Sequence, residues 1–236
     1  MRDGDGQDLR EYLVTTAARL IDQRGSAGLT VRDIAREARV ADGVLYNYFE
    51  DKEDLLAHAL LAHVGMVMTS APPMPAAGTG SVADNLRFFI DRGFALLARV
   101  TPAFAGLLAQ PKVLSRFHAM VGGDGAFGAA TAAAVEDPEG RPDQDAGSGH
   151  PEPRGLPDTL KAYLRAEQHL GRIDAAADID AVATLIVGAI HGEILPRVLF
   201  RSPGSPITIP PSLAGRLATT ILGGIGPDPA RSGLRP

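Results

Sequence analysis

Residues 30–56, with the sequence TVRDIAREARVADGVLYNYFEDKEDLL, constrain the fold of this chain more than any other stretch. Thr30 stands where a helix N-cap belongs, and Asp33, three residues on, completes a capping box with aspartate in place of the usual glutamate. After one helix of apolar residues at helical spacing, a short turn over residues 39–41 precedes a second helix, predicted over residues 42–49. Two helices joined by so short a turn predict a helix-turn-helix.

The second of these helices has two different faces. Leu45 and Phe49 are four residues apart and are predicted to face the core, with Val40 packing in the turn. A helix of about two turns is not stable alone, so the preceding helix must hold its inner edge. Its outer edge is then free to enter the major groove of DNA, which admits an α-helix and shows a distinct donor–acceptor pattern for each base pair.

The outer face carries residue types suited to DNA contact. Gly43 allows a close approach, and Asn47 can pair with a base edge or a phosphate. The two tyrosines can bond phosphates through their hydroxyls. Lys52 at the start of the next helix, and Thr30 at the start of the preceding one, lie beside free backbone N–H groups that bind phosphate. The predicted DNA-binding residues are Thr30, Arg32, Asp42, Gly43, Val44, Tyr46, Asn47, Tyr48 and Lys52.

Residues 9–56 resemble the N-terminal DNA-binding domain of TetR-family transcriptional regulators. The family pattern is Thr, then Ile-Ala-x-x-Ala, a turn, and Gly-x-Leu-Tyr-x-(His or Tyr)-Phe-x-x-Lys-x-x-Leu. This sequence supplies it with Thr30, Ile34, Ala35, Ala38, Gly43, Leu45, Tyr46, Tyr48, Phe49, Lys52 and Leu55. The resemblance implies an all-α chain, with a three-helix helix-turn-helix domain over 1–54 and a larger helical ligand-binding and dimerisation domain over 55–225.

The same resemblance implies a function. It implies a cytoplasmic, ligand-responsive repressor that binds a palindromic operator on double-stranded DNA as a homodimer and needs no cofactor. Three positions depart from the family pattern. Arg39 stands where glycine is usual at positive φ, Ala41 replaces a capping serine so that the cap is predicted to pass to Asp42, and Val44 replaces a hydroxyl that would bond phosphate.

Charge sets a limit on DNA binding. The whole chain has a net charge of −5, so any DNA contact must come from a local surface. Counted from the sequence, residues 1–54 hold eight Lys and Arg against twelve Asp and Glu. We therefore expect binding to be strongly salt-sensitive.

Beyond the helix-turn-helix, about ten helices are predicted in all and no strand alternation appears. Residues 70–80 are a linker rich in proline and glycine, and residues 136–155 are a low-complexity acidic loop predicted to be disordered. Residues 226–236 are predicted to be a loose tail. Helices are predicted over 52–69, 81–100, 101–109, 111–135 with a bend at the glycine-rich 122–128, 156–170, 178–200 and 212–223.

The helix over 178–200 is apolar enough to need more than one neighbour, yet its charged residues make it too polar to span a membrane comfortably. In the family, the last two helices pair with those of a second subunit. Glycines four residues apart would let a partner helix approach closely. The predicted dimer interface comprises Ile186, Gly188, Ile190, Gly192, Leu217 and Ile221.

A ligand pocket is predicted from the large apolar side chains of the central helices and from two histidines as polar anchors. Its predicted lining is Phe88, Phe104, Phe117, His118, Met120, Phe127 and His191. This composition favours a small apolar or aromatic effector.

Other functional classes find little support in the sequence. The absence of cysteine removes thiolate nucleophiles and disulfides and fits a reducing cytoplasm. The six histidines are scattered without metal-site spacing or a catalytic constellation, so neither a metal site nor an enzyme is predicted. The remaining alternative is a helical adaptor or small-molecule-binding protein that has lost specific DNA binding.

Overall fold

The computed structural model describes residues 3–121, 156–200 and 205–224, and the side chains from residue 8 onward. Within these ranges the chain is all-helical and contains no strand, which confirms the predicted fold class. The helices are α1 (Asp3–Arg24), α2 (Val31–Ala38), α3 (Asp42–Leu45), α4 (Lys52–Ser70), α5 (Val82–Ala105), α6 (Pro111–Met120), α7 (Leu156–His169), α8 (Ile179–Leu199) and α9 (Leu213–Gly223).

Local capping signals predicted most helix ends correctly. The Thr30 hydroxyl accepts the Asp33 N–H while the Asp33 carboxylate accepts the Thr30 N–H, which is the predicted capping box of α2. The Asp178 carboxylate caps α8, as predicted, by accepting the Ala181 N–H. Gly25 follows α1 with φ of 76°, a left-handed conformation that suits glycine and ends the helix.

Two predicted helices are wrong in extent. No separate helix begins at residue 101, because α5 continues through Pro102 to Ala105. Burial of Val100 and Ala103 in the core offsets the one backbone hydrogen bond that proline removes. The recognition segment, residues 42–48, is less helical than predicted: α3 ends at Leu45, and tighter turns carry the chain through residues 46–49.

Predictions for the bend at 122–128, the helix beyond residue 121, the acidic loop at 136–155 and the tail at 226–236 lie outside the described residues.

The helix-turn-helix packs on one core that reaches beyond the first 54 residues. Leu13 and Leu20 of α1, Ile34 of α2 and Leu45 of α3 meet buried residues of α4, such as Leu56. The end of α5, the turn that follows it and the inner face of α6 close this N-terminal core with Ala103, Leu107, Val113 and Phe117. The recognition segment is therefore held by α4 and by later parts of the chain as well as by α1 and α2.

A second core lies between α5, α7, α8 and α9. Phe89 and Ile90 of α5 pack there with Leu160 of α7 and Ile190 of α8. Gly93 brings α5 close to α8, because a Cβ at this position would stand 2.7 Å from the Cδ1 atom of Ile190. Since α5 contributes to both cores, it connects the N-terminal helices to the C-terminal ones.

Among the described residues, α8 alone has the length and composition of a membrane-spanning helix, and 33% of its most apolar window is buried in the subunit. Its inner face lies in the second core. Its last turn carries an ion pair between Arg197 and Glu193, with 2.6 Å between Nη1 and Oε2. These features agree with a core helix that has one open face.

Candidate nucleic-acid interface

The turn between α2 and α3 has the backbone that its family resemblance implies. Arg39 has φ of 59° and ψ of 40°, so it adopts the left-handed conformation expected where glycine is usual. Its N–H bonds the carbonyls of Ala35 and Arg36 and so closes α2. A side chain in this conformation costs about 1–2 kcal/mol, and the turn keeps it because the packed helices on either side fix its ends.

The predicted transfer of the α3 cap to Asp42 is wrong. Ala41 occupies the N-cap and offers no side-chain hydrogen bond, while Asp42 is already the first helical residue. The Asp42 carboxylate instead accepts a hydrogen bond of 3.3 Å from Nε of Arg32. Two of the predicted DNA-binding residues are therefore bonded to each other.

The two faces of the recognition segment, residues 42–48, are as predicted. Leu45 and Phe49 are buried in the N-terminal core, and Val40 packs against them. Gly43, Asn47 and Tyr46 are exposed, and Tyr46 shows 59% of its surface to solvent. Val44 and Tyr48 are half-buried at the edges, as is Lys52 at the start of α4.

Polar side chains on this outer face have no hydrogen-bonding partner among the described residues. The side chains of Tyr46, Asn47, Tyr48 and Lys52 make no hydrogen bond or ion pair with any described residue. A Cβ on Gly43 would meet nothing within 4 Å. The face thus offers hydroxyl, amide and ammonium groups to a partner, with room for that partner to approach the backbone.

Most of the positive charge on α2 is already paired. Arg36 donates to Asp33 at 2.8 Å, and Arg32 is bonded to Asp42. Hydrogen bonds from the hydroxyl and then the backbone of Thr30 hold the pKa of Asp33 below its ordinary value, so this carboxylate stays charged. Any anionic partner would therefore compete with these carboxylates for the two guanidinium groups.

Behind Phe49, a network joins α1 to α4. The Arg10 guanidinium lies 5.1 Å from the centre of the Phe49 ring, and its Nη2 donates to Nε2 of His58 at 2.7 Å. Since Nε2 accepts, the proton of His58 is on Nδ1, which faces the carbonyl and carboxylate of Asp54 at 2.9 Å and 3.1 Å. This network fixes Phe49 and with it the end of the recognition segment.

One contact at this surface, between α6 and the residues that precede α4, was not predicted from the sequence. Arg116 of α6 donates through both terminal nitrogens to the two carboxylate oxygens of Asp51, each at 3.0 Å. The same guanidinium donates to Glu50 at 3.3 Å. Both acids stand beside Lys52, and α6 lies some sixty residues further along the chain.

The predicted pocket residues do not converge on one cavity in the described ranges. The rings of Phe104 and Phe117 contact each other edge to face in the N-terminal core, with 5.2 Å between their centroids, and Met120 also packs there. His118 is exposed on α6, and Nδ1 of His191 donates to the Val187 carbonyl within α8. Phe127 lies outside the described residues.

Phe88 lies apart from the other predicted pocket residues and lines a cleft of about 340 Å³ between α4 and α5. In this α4–α5 cleft, Nε of Arg92 donates to the Pro72 carbonyl at 2.9 Å, and desolvation lowers the pKa of Arg92. Arg99 donates from Nη1 to Ser70 at 2.9 Å. The lining is Val67, Ser70, Ala71, Pro72, Phe88, Asp91, Arg92, Ala95, Leu96 and Arg99.

Two of the predicted interface residues offer no surface to a partner. Ile186 and Ile190 are buried in the second core, because they form the inner face of α8. Leu217 and Ile221 of α9 are partly buried against the same core. Gly188 and Gly192 are exposed, and a Cβ on either would meet nothing within 4 Å.

The outer face of α8 carries an apolar seam of which the predicted interface contained only the two glycines, Gly188 and Gly192. Leu185, Leu195 and Leu199 are exposed, and Leu185 shows 65% of its surface. Together with the two glycines they recur at alternating steps of three and four residues, at positions 185, 188, 192, 195 and 199. This spacing is that of the a and d positions of packed helices, and we call these five residues the α8 seam.

Comparison with known proteins gives the same picture for the N-terminal domain. Residues 13–59 match the family model for bacterial regulatory proteins of the tetR family. The HTH-type transcriptional regulator HbdR of Aromatoleum sp. (strain CIB) is 38% identical over 50 residues, which are 21% of this chain and 22% of that protein. BetI of Stenotrophomonas maltophilia (strain R551-3) is 31% identical over 85 residues, 36% of this chain and 43% of that protein. The chain thus spans less than half the length of these curated relatives.

Solved structures match over nearly the whole chain. FadR from Bacillus subtilis in complex with stearoyl-CoA aligns with a TM-score of 0.52 and 17% identity, covering 92% of this chain and 99% of that one. A putative transcriptional regulator from Saccharomonospora viridis in complex with choline aligns with a TM-score of 0.54 and 16% identity, covering 91% and 94%. At these identities the likeness shows the fold: an N-terminal helix-turn-helix followed by a larger helical domain.

Proposed function

We propose that this chain is a TetR-family transcriptional regulator that acts as a ligand-responsive repressor and binds a palindromic operator as a homodimer. One observation carries the DNA-binding part. The recognition segment is buried on its inner side, whereas Tyr46 and Asn47 on its outer side, and Lys52 at the start of α4, have no side-chain partner among the described residues. Exposed polar groups on a rigidly backed helix are what major-groove contact requires.

The homodimer is supported by the α8 seam. The three exposed leucines of the seam, Leu185, Leu195 and Leu199, form an apolar strip that is open to solvent in the single subunit. Gly188 and Gly192 within the strip allow two helices to approach closely. A two-fold dimer would present two recognition segments, which read half-sites one helical turn apart, about 34–36 Å.

The effector is proposed to bind in the α4–α5 cleft. FadR and the S. viridis regulator bind stearoyl-CoA and choline, two chemically different ligands, so the fold alone does not select one. Here the cleft has apolar walls and the guanidinium groups of Arg92 and Arg99, against one carboxylate from Asp91. A molecule with an apolar or aromatic body and one anionic group fits this lining.

Arg99 offers a route from this cleft to the DNA-binding helices. Its Nη2 donates to Asp22 of α1 at 3.1 Å while its Nη1 bonds Ser70 at the cleft rim. An anion that binds Arg99 would compete with Asp22 and loosen α1 from α5. A coupling of about 1–3 kcal/mol between the two sites would be ordinary for such regulators.

The proposal is tested by selecting binding sites from a pool of random DNA duplexes with the purified protein. We expect an enriched palindrome, bound in a salt-dependent manner, and loss of that enrichment for Asn47→Ala. A pool that stays random after repeated rounds would overturn the DNA-binding proposal. It would favour the helical adaptor, an alternative that the acid excess of the N-terminal domain keeps open.

Octanoate and octyl phosphate probe the effector part. We expect either anion to raise the melting temperature of the protein and to release the selected duplex, because a ligand that binds the folded state stabilises it. Arg92→Gln should abolish both effects. An equal response to octyltrimethylammonium, which carries the opposite charge, would contradict an anionic effector.

A further inference from the structure

The segment that carries the phosphate-binding lysine is strongly acidic. Lys52 is flanked by Glu50, Asp51, Glu53 and Asp54, so these five residues together carry a net charge of −3. DNA phosphates approaching Lys52 would meet this acidic corner, as we name residues 50–54. Four carboxylates within a Debye length of a phosphate repel it unless another cation compensates for them.

Arg116 supplies that cation from a different part of the chain. Its two terminal nitrogens grip both oxygens of Asp51 at 3.0 Å, a bidentate arrangement that fixes the planes of both groups. Nη2 also donates to Glu50 at 3.3 Å, and Nη1 lies 3.7 Å from an oxygen of Asp54. One guanidinium thus contacts three of the four acids.

The position of this guanidinium is set by α6. Val113 and Phe117, on the inner face of that helix, are buried in the N-terminal core. Asp51 is at the same time the N-cap of α4, since its carboxylate accepts the Asp54 N–H at 2.7 Å. The first turn of α4, where Lys52 sits, is therefore anchored to α6 through Asp51.

Asp54 and Glu53, the other two acids near Lys52, differ in the partners of their carboxylates. The Asp54 carboxylate also accepts the Glu50 N–H and faces Nδ1 of His58, whose other nitrogen is bonded to Arg10. Glu53 has no ion pair with any described residue. Among the described residues, Arg116 is the one cation from outside α1–α4 that contacts the acidic corner.

We propose that Arg116 is a positioning residue of the DNA-binding surface, which acts from α6 by neutralising the acidic corner around Lys52. This inference rests on the proposed DNA binding. It means that DNA affinity depends on a residue well beyond the helix-turn-helix. Any displacement of α6 that withdraws the guanidinium uncovers the acids and weakens DNA binding by electrostatic repulsion.

Arg116→Gln tests the proposal by fluorescence anisotropy on the duplex selected by the unmodified protein. We expect about tenfold weaker binding at 50 mM salt and a smaller loss at 300 mM, because salt screens the exposed carboxylates. The double variant Arg116→Gln/Asp51→Asn should bind within about twofold of the unmodified protein, since asparagine caps a helix as well as aspartate does and the local charge is restored.

This rescue separates a charge effect from a docking effect. If Arg116 served only to dock α6, or if it contacted phosphate itself, the double variant would still bind several-fold more weakly than the unmodified protein, and the proposal would be overturned. Arg165→Gln is the matched control, because it removes the same charge from an interhelical ion pair, with Asp180, far from the recognition segment in sequence. It should leave DNA affinity unchanged.

A second variant keeps the test decisive if Arg116→Gln does not fold. Glu50 is largely exposed, so Glu50→Gln removes one acid from the corner without removing packing. We expect it to strengthen DNA binding about threefold or more at 50 mM salt. Unchanged affinity for Glu50→Gln would overturn the proposal, whereas failure of the unmodified protein to select any duplex would overturn the proposed function itself.

Discussion

At the scale of single residues, Arg39 gives a direct test of backbone strain. Arg39→Gly should raise the free energy of unfolding by roughly 0.5–1 kcal/mol, since relief of the left-handed side chain exceeds the entropy that glycine loses on folding. Urea denaturation followed by circular dichroism measures the change. Arg39→Val provides the opposite case, because a β-branched residue is worse than arginine at positive φ. A stability order other than Gly above Arg above Val would contradict the account.

Among single residues, the sequence predicted what depends on near neighbours. The capping box of Thr30 and Asp33 and the left-handed Arg39 follow from patterns a few residues long. The ion pair between Arg32 and Asp42 and the bidentate bond of Arg116 to Asp51 were not predicted, because they join residues that only the fold brings together. Side-chain pairing across 10 or 65 positions leaves no periodic signal in a single sequence.

His63 predicts a specific sensitivity to acid. Its ring is fully buried, and burial lowers its pKa below the ordinary 6.5, although the Arg99 carbonyl, at 3.3 Å from Nε2, and Asp22 oppose this shift. Below pH 6.5 the unfolded chain therefore binds a proton that the folded chain does not, and stability is lost as pH falls. At higher pH this contribution is complete.

The measurement compares urea unfolding at pH 7.5 and pH 5.5, about one unit on either side of the ordinary value. We expect His63→Gln to be less stable than the unmodified protein at pH 7.5 but to lose less stability on acidification. Equal losses in the two proteins would show that His63 does not cause the acid sensitivity.

At the scale of helices, apolar content was predicted better than orientation. The sequence identified α8 as the helix with more apolar surface than one neighbour covers, but it assigned Ile186 and Ile190 to the interface. Because α8 is apolar on both sides, its periodicity could not distinguish the face that packs on α5 from the face left open. Only the placement of α5 and α7 decides between them.

The α8 seam can be tested through its glycines. Gly188→Leu should weaken dimerisation by at least about tenfold, because a large side chain separates helices that pack closely. It should leave the subunit folded, since a Cβ there meets nothing within 4 Å. Gly65→Leu is the matched control, because Gly65 is an exposed glycine in the middle of α4 with equal space around it. Light scattering across a dilution series measures the mass of each variant. If both variants kept the dimer mass of the unmodified protein, the result would contradict the proposed interface.

At the scale of the whole molecule, α5 and α6 connect the helix-turn-helix to the rest of the chain. Arg99 and Arg116 bond acids of α1 and of the acidic corner, and the Ser26 hydroxyl donates to the Ala103 carbonyl near the end of α5. Gly106 makes this last contact possible, because a Cβ there would stand 2.6 Å from the backbone nitrogen of Ala27. The N-terminal helices are thus bonded to α5 and α6 at several points.

The central claim, that the outer face of the recognition segment binds DNA, is tested most directly by the affinity of Tyr46→Ala for the selected duplex. Tyr12 in α1 is the matched control, because it is exposed to a similar degree, 50% against 59% for Tyr46. We predict that Tyr46→Ala weakens binding about tenfold or more while Tyr12→Ala leaves it unchanged. Unchanged affinity for Tyr46→Ala, or an equal loss in both variants, would contradict the account.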